Sequence, residues 1–129
     1  MTTATVRVMI VDDQQPFRAA AQLVVELTDG FEVVGEAGTG EESVDMAARV
    51  APDLVLMDVN LPGIDGLEAT RRILAGAEGA PVVVVLSTYE AGEYAERARA
   101  AGAAAFIPKS SFDPDTLSDA WELAAAHSS

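Results

Sequence analysis

The chain has no cysteine, one histidine and one tryptophan, and it sets only 8 lysines and arginines against 21 aspartates and glutamates. Without cysteine, the fold can use neither disulfides nor a thiolate-bound metal, which suits a reducing cytoplasm. The single histidine, His127, lies in the C-terminal tail, so the sequence offers no evident phosphohistidine of its own. No apolar run is long enough to cross a bilayer: Val82 to Leu86, the most β-prone segment, falls far short of the roughly 20 residues a spanning helix needs. The N-terminus has no basic region followed by an apolar one, so no secretory signal is expected and the cytoplasm is the expected location. A formal net charge of −13 repels nucleic-acid phosphates and anionic lipids. Arg71, Arg72, Arg97 and Arg99 read as solvated helix faces, not as a basic patch. Nucleic acid and membrane are therefore not expected partners of this chain, whereas a cation and other proteins are.

What is present describes one domain. The 129 residues are 50% hydrophobic, enough for a single core running from about residue 5 to 126 and too few for a second domain. Short apolar runs alternate with amphipathic segments. Val6 to Val11 reads as a buried strand ending in Asp12-Asp13. The helix after it has Pro16 near its first turn, an apolar stripe of Phe17, Ala20, Ala21, Val24 and Leu27, and Asp29-Gly30 closing it. Phe31 to Ala37 is a second strand, and Glu41 to Val50 a second helix before Pro52. Leu54 to Met57 is a third strand ending at Asp58, followed by the turn-rich loop Val59 to Gly66 and a helix from Leu67 to Leu74. Val82 to Leu86 ends at Ser87-Thr88, ahead of a helix from Glu90 to Ala100 that stops near Gly102. A short strand from Ala105 to Ile107 leads to Pro108-Lys109. The last helix runs to about Ala126, with Asp113 as its N-cap and Pro114 in its first position.

Five strand-then-helix units imply a doubly wound α/β sheet with helices on both faces, and such sheets bind ligands beyond the carboxyl ends of their strands. The polar residues at those ends are Asp12, Asp13, Asp58, Ser87, Thr88 and Lys109. If the three aspartates converge, each ionised pair at roughly 5 Å repels by about 3 kcal/mol at an effective dielectric near 20. That repulsion favours either protonation or a bound cation, and an open all-oxygen site suits Mg²⁺ or Mn²⁺. One carboxylate can then act as nucleophile toward phosphorus, with Lys109 supplying positive charge and Ser87 a hydroxyl donor.

These residues resemble the response regulator receiver family through Val11-Asp12-Asp13, Leu54 to Gly66 (LVLMDVNLPGIDG), Val85-Leu86-Ser87, and Ala101-Gly102-Ala103 through Phe106-Ile107-Pro108-Lys109. The resemblance implies a flavodoxin-like (βα)5 three-layer sandwich with a parallel sheet of strand order 2-1-3-4-5. It also implies Asp58 as phosphoacceptor, and a metal held by Asp13, Asp58 and the backbone carbonyl of Asn60, with Asp12 assisting through water. Ser87 and Thr88 become phosphate-side switch hydroxyls, Lys109 the phosphate-pairing lysine and Phe106 the switch aromatic. Asn60 and Tyr89 are expected to tune dephosphorylation. The implied partner is a sensor histidine kinase, with homodimerisation through the helix 4–strand 5–helix 5 or the helix 1–helix 5 surface.

One departure is that Ser110 follows Lys109 where the family usually has proline, and Pro108 precedes it, so no cis peptide is expected there. The Ile-Pro-Lys-Ser-Ser stretch is most similar to receivers of NarL/LuxR-type transcription factors. No DNA-binding domain lies in these 129 residues, which leaves a single-domain receiver or a fragment of a longer regulator. Two other readings are weaker. Gly38-Thr39-Gly40-Glu41-Glu42-Ser43 partly mimics a dinucleotide loop but has serine at the third glycine position and follows the second strand. An aspartyl phosphatase of the haloacid dehalogenase type needs an acid/base aspartate where this chain has Asn60. Trp121 reads as packing.

Overall fold

The computed structural model describes residues 5–76, 81–88 and 92–127. Its elements are β1 (Val6–Val11), α1 (Gln15–Glu26), β2 (Phe31–Ala37), α2 (Gly40–Val50), β3 (Leu54–Asp58), α3 (Gly66–Gly76), β4 (Val82–Ser87), α4 (Gly92–Ala100), β5 (Ala105–Pro108) and α5 (Pro114–His127), with a 3₁₀ turn at Lys109–Ser111. The five strands form one parallel sheet in the order β2-β1-β3-β4-β5, as expected from the sequence. Among the described residues no helix is long and apolar enough to cross a membrane, and no peptide bond is cis.

Strand alternation builds two cores, one on each face of the sheet. Val8, Ile10, Leu54, Leu56, Val84, Leu86 and Ile107 point toward α1 and α5, where they meet Ala21, Val25, Leu117 and Ala120. Met9, Val11, Val55, Met57, Val83 and Val85 point the other way, against Leu67, Ile73 and Ala98. Strands buried on both sides are apolar throughout, which is why β3 and β4 lack a polar alternation. Trp121 is a packing residue, its indole standing edge-on to Phe31 with centroids 6.3 Å apart.

The α1 stripe is as expected at Phe17, Ala21 and Val24, which pack on the core, and differs elsewhere. Ala21 and Val25 are its buried residues, while Ala20 is exposed and Leu27 is 66% exposed. Leu27 is the C-cap, one residue beyond the last helical turn, and the face on the sheet follows the i, i+4 line Phe17–Ala21–Val25. α1 is apolar on more than one side, so periodicity alone did not single out the inward face. The start of α5 is as expected: Asp113 Oδ1 accepts from Thr116 N at 2.8 Å, and Thr116 Oγ1 accepts from Asp113 N at 2.9 Å, a reciprocal cap.

Candidate functional site

Register brings the polar strand ends into one place. Val11 pairs with Met57, Met57 with Val85 and Val85 with Phe106, so Asp12 and Asp58 follow in the next row, where Asp58 pairs with Leu86 and Leu86 with Ile107. One row further on, Ser87 pairs with Pro108, and Lys109 comes next. Residues 12, 58 and 109 share the parity of Ile10, Leu56 and Ile107, so all three side chains start on the α1/α5 face.

They do meet. One carboxylate oxygen from each of Asp12, Asp13 and Asp58 lies within 4.8 Å of the others. Lys109 Nζ donates to Asp12 Oδ2 at 2.6 Å and stands 3.6 Å from Asp58 Oδ1. Asp12 and Asp58 are 1% and 4% exposed, whereas Asp13 opens to solvent. Both oxygens of Asp12 are engaged, because Oδ1 accepts from the backbone N–H of Gln14 at 2.8 Å. Asp58 Oδ1 accepts a longer bond, 3.4 Å, from Asn60 N. Burial and the charge of Asp12 push the Asp58 carboxyl up from 3.8 to about 6, against the opposing pull of Lys109 and the Asn60 N–H; Asp13 adds a smaller upward push. Three carboxylates thus gather at one ammonium that pairs with two of them, Asp12 and Asp58, an all-oxygen donor set short of positive charge. A divalent cation fits it.

The other expected residues divide. Ser87 is fully buried at the end of β4, and Thr88 beside it is exposed. Phe106 is partly buried against the core on the α2/α3/α4 face, beside a cavity of about 190 Å³ that Ala98, Arg99 and Ala103 also line. It therefore faces away from the carboxylates. Tyr89, and the start of the fourth helix expected at Glu90, lie outside the described residues.

Several supporting residues had no role at the site assigned from sequence. Gly66 opens α3 with its N–H on Val59 O at 2.9 Å, and a Cβ there would overlap the backbone oxygen of Asp58. Glu41 of α2 reaches across to accept from Ile64 N at 3.2 Å, which fixes the loop after Asp58. Phe17 places its ring beneath the Lys109 ammonium, 4.2 Å from centroid to Nζ. Only Gly66, a glycine inside a motif, carried a signal in the sequence. The glycine-rich stretch after β2 is a helix start: Thr39 Oγ1 accepts from Glu42 N at 3.0 Å, and Glu42 Oε1 accepts from Gly38 N at 2.6 Å. A groove of about 360 Å³ lies at the opposite end of the sheet, between α2 and α3 beside Pro52 and Pro81, away from the carboxylates.

The connections from β1 and β3 leave in opposite directions across the sheet, and the carboxylates sit at the crevice between them. Fold and crevice together define a flavodoxin-like α/β domain with an acidic pocket at its switch point. Comparison with known proteins narrows this further. The family model of the response regulator receiver domain matches residues 8–122. Response regulator GacA of Pseudomonas viridiflava is 42% identical over 104 residues, covering 81% of this chain and 48% of that protein. Transcriptional regulatory protein PdtaR of Mycobacterium tuberculosis is 42% identical over 121 residues, covering 93% of this chain and 57% of its own length. A LuxR-family response regulator from Aurantimonas superimposes with a TM-score of 0.84 at 35% identity, covering 95% of this chain and 87% of that one. The receiver domain of the NarL regulator from M. tuberculosis does so at 0.86 and 26%, covering 95% and 98%. The chain belongs to the response regulator receiver domain family and is a receiver of two-component signalling. It spans about half the length of the curated relatives it matches.

Proposed function

We propose that Asp58 is the phosphoacceptor of this receiver and that its phosphorylation switches the domain between two conformations. The observation that carries the reading is the position of Asp58: buried at the end of β3, 3.6 Å from Lys109, and with oxygens of Asp12 and Asp13 within 4.8 Å. A carboxylate held with little solvation and one ammonium beside it is placed to attack phosphorus. The donor is the phosphohistidine of a sensor histidine kinase, or a small acyl phosphate. An Asp58 oxygen forms the new O–P bond as the donor's P–N or P–O bond breaks, and the electron pair leaves with the imidazole or the carboxylate. Lys109 pairs with a phosphoryl oxygen and Ser87 donates its hydroxyl to another.

Asp13, Asp58 and the backbone carbonyl of Asn60 would hold Mg²⁺ (or Mn²⁺), with Asp12 acting through water, since both of its oxygens are already engaged. Bound there, the ion offsets the negative charge gathered on the phosphoryl oxygens. The carboxamide of Asn60 neither gives up nor takes a proton near neutral pH, so it cannot act as an acid/base partner, which supports a signalling domain over a phosphatase. We also read the chain as a signalling domain where its methylesterase relatives are enzymes. The protein-glutamate methylesterase of Geobacter metallireducens matches over 106 residues, which is 30% of that protein.

The added charge, about −1.5 to −2, draws Ser87 and Lys109 toward Asp58 and re-poses the segment before α4. Phe106 then turns inward, and the α4–β5–α5 surface changes its affinity for a partner or a second copy; α1–α5 is the alternative dimer face. Transcription control is the output suggested by the similarity to PdtaR, a transcriptional regulatory protein by name, and to a LuxR-family response regulator; we infer that it acts through a DNA-binding domain, none of which lies in these residues. Residues 5–126 act as one receiver domain, and the cytoplasm is its place of work. A small phosphodonor with Mg²⁺ should label the wild type and leave Asp58→Asn unlabelled; equal labelling of both proteins rules out Asp58.

A further inference from the structure

We propose that Phe17 is a positioning residue for Lys109: the face of its ring holds the ammonium beside Asp58 without neutralising it, so the ammonium can pass from Asp12 to a phosphoryl oxygen. The proposal rests on Asp58 as acceptor. Lys109 is 10% exposed at its side chain, donates to Asp12 Oδ2 at 2.6 Å, and has the centroid of the Phe17 ring 4.2 Å from Nζ. That separation is well inside the distance at which a ring quadrupole attracts a cation, and the attraction is greatest where water is excluded. A carboxylate would hold the ammonium as firmly but would cancel the charge that the phosphoryl group needs; an aromatic face does not.

The bracket is built from both ends. Phe17 lies in the first turn of α1, its N–H on Gln14 O at 3.1 Å, and the N–H of Gln14 donates to Asp12 Oδ1, so ring and carboxylate belong to one turn. From the other side, Phe112 closes the 3₁₀ turn that Lys109 opens, its N–H on Lys109 O at 3.2 Å, and its ring lies 6.4 Å from that of Phe17. Two carboxylates face the ammonium, Asp12 at 2.6 Å and Asp58 at 3.6 Å, and the ring lies against it as a third, uncharged contact. Phe17 also packs against the α1/α5 core, and the test has to separate that packing from its contact with the ammonium.

The test is a double-mutant cycle. Phe17→Leu keeps an apolar side chain there and removes the ring face; we expect initial phosphorylation by a small acyl phosphate to slow about tenfold, and Phe17→Tyr to stay within about twofold of wild type. In a Lys109→Met background Phe17→Leu should cost nothing further, because the cation it positions is gone. An equal loss in both backgrounds, or no loss in either, overturns the proposal. A second measurement is independent of labelling. The ε-methylene protons of Lys109 should resonate upfield in wild type and Phe17→Tyr and return to ordinary values in Phe17→Leu. Ordinary values in wild type overturn the proposal, whereas ring-shifted protons in a chain whose Asp58→Asn form is still labelled would sink only the acceptor assignment.

Discussion

Replacing Asp58 by asparagine should make the metal-free protein more stable at neutral pH, although it removes the carboxylate proposed as acceptor. Folding buries the Asp58 carboxyl beside Asp12 and lifts it from 3.8 to about 6. Between those two values the folded state keeps a proton that the unfolded chain has released, so stability falls as pH rises through the window and is level above it. At 1.36 kcal/mol per pH unit, the displacement corresponds to about 3 kcal/mol of lost stability above pH 7. Asparagine cannot ionise, retains an oxygen for the Asn60 N–H, and offers its amide to the neighbouring carboxylates. The variant should therefore gain up to about 3 kcal/mol at pH 7.5, about half of that at pH 5, and little near pH 4. For a domain of this size that is a rise of about 10 °C in Tm at pH 7.5. Denaturant unfolding in EDTA at several pH values measures it, and the difference between the two proteins cancels the titration of the exposed carboxylates. Adding Mg²⁺ should narrow the gap by stabilising wild type, by about 2.7 kcal/mol at one hundred times its Kd. A variant no more stable than wild type at pH 7.5 in EDTA, or a gap that does not change between pH 5 and 8, would refute the reasoning.

Chelating Mg²⁺ should abolish labelling of Asp58 while leaving the far-ultraviolet dichroism of the protein intact; labelling that persists in EDTA contradicts the metal role. Gly66→Ala should cost about 2–3 kcal/mol in denaturant unfolding, because its Cβ would overlap the backbone oxygen of Asp58 and the strand end cannot give way; a cost near zero would show that the loop relaxes freely. Tyr89 follows Ser87 by two residues, and if it shields the phosphoryl group from water, Tyr89→Ala should speed decay of the phosphorylated protein, measured by loss of label. An unchanged decay rate removes Tyr89 from the account.

Strand positions were readable most plainly where a strand is a short apolar run closed by a charged or turn residue: Asp12 after β1 and Asp58 at the end of β3. Helix limits were readable to within a residue or two, as at Asp113, which caps α5, and at α3, which runs from Gly66 to Gly76 where Leu67 to Leu74 was expected. The inward face of α1 was readable in part: Phe17, Ala21 and Val24 of the expected stripe pack on the core, whereas Ala20 and Leu27 do not and Val25 was not in the stripe. Leu23 and Leu27 are as apolar as Val25, and only docking on the sheet selects among them.

The site follows the same division. Local pattern and motif spacing by themselves determined which residues end the strands, and so that three carboxylates, a serine and a lysine would gather at the carboxyl edge of one parallel sheet. The tertiary structure decided how they pair: that Lys109 rests on Asp12, that Asp12 spends both oxygens within the protein, and that a phenylalanine from the first helix lies under the ammonium. The reason is physical. A strand's chemistry is set by its own neighbours in sequence, whereas a contact between α1 and the turn after β5 exists only once strand order and register have brought their ends together.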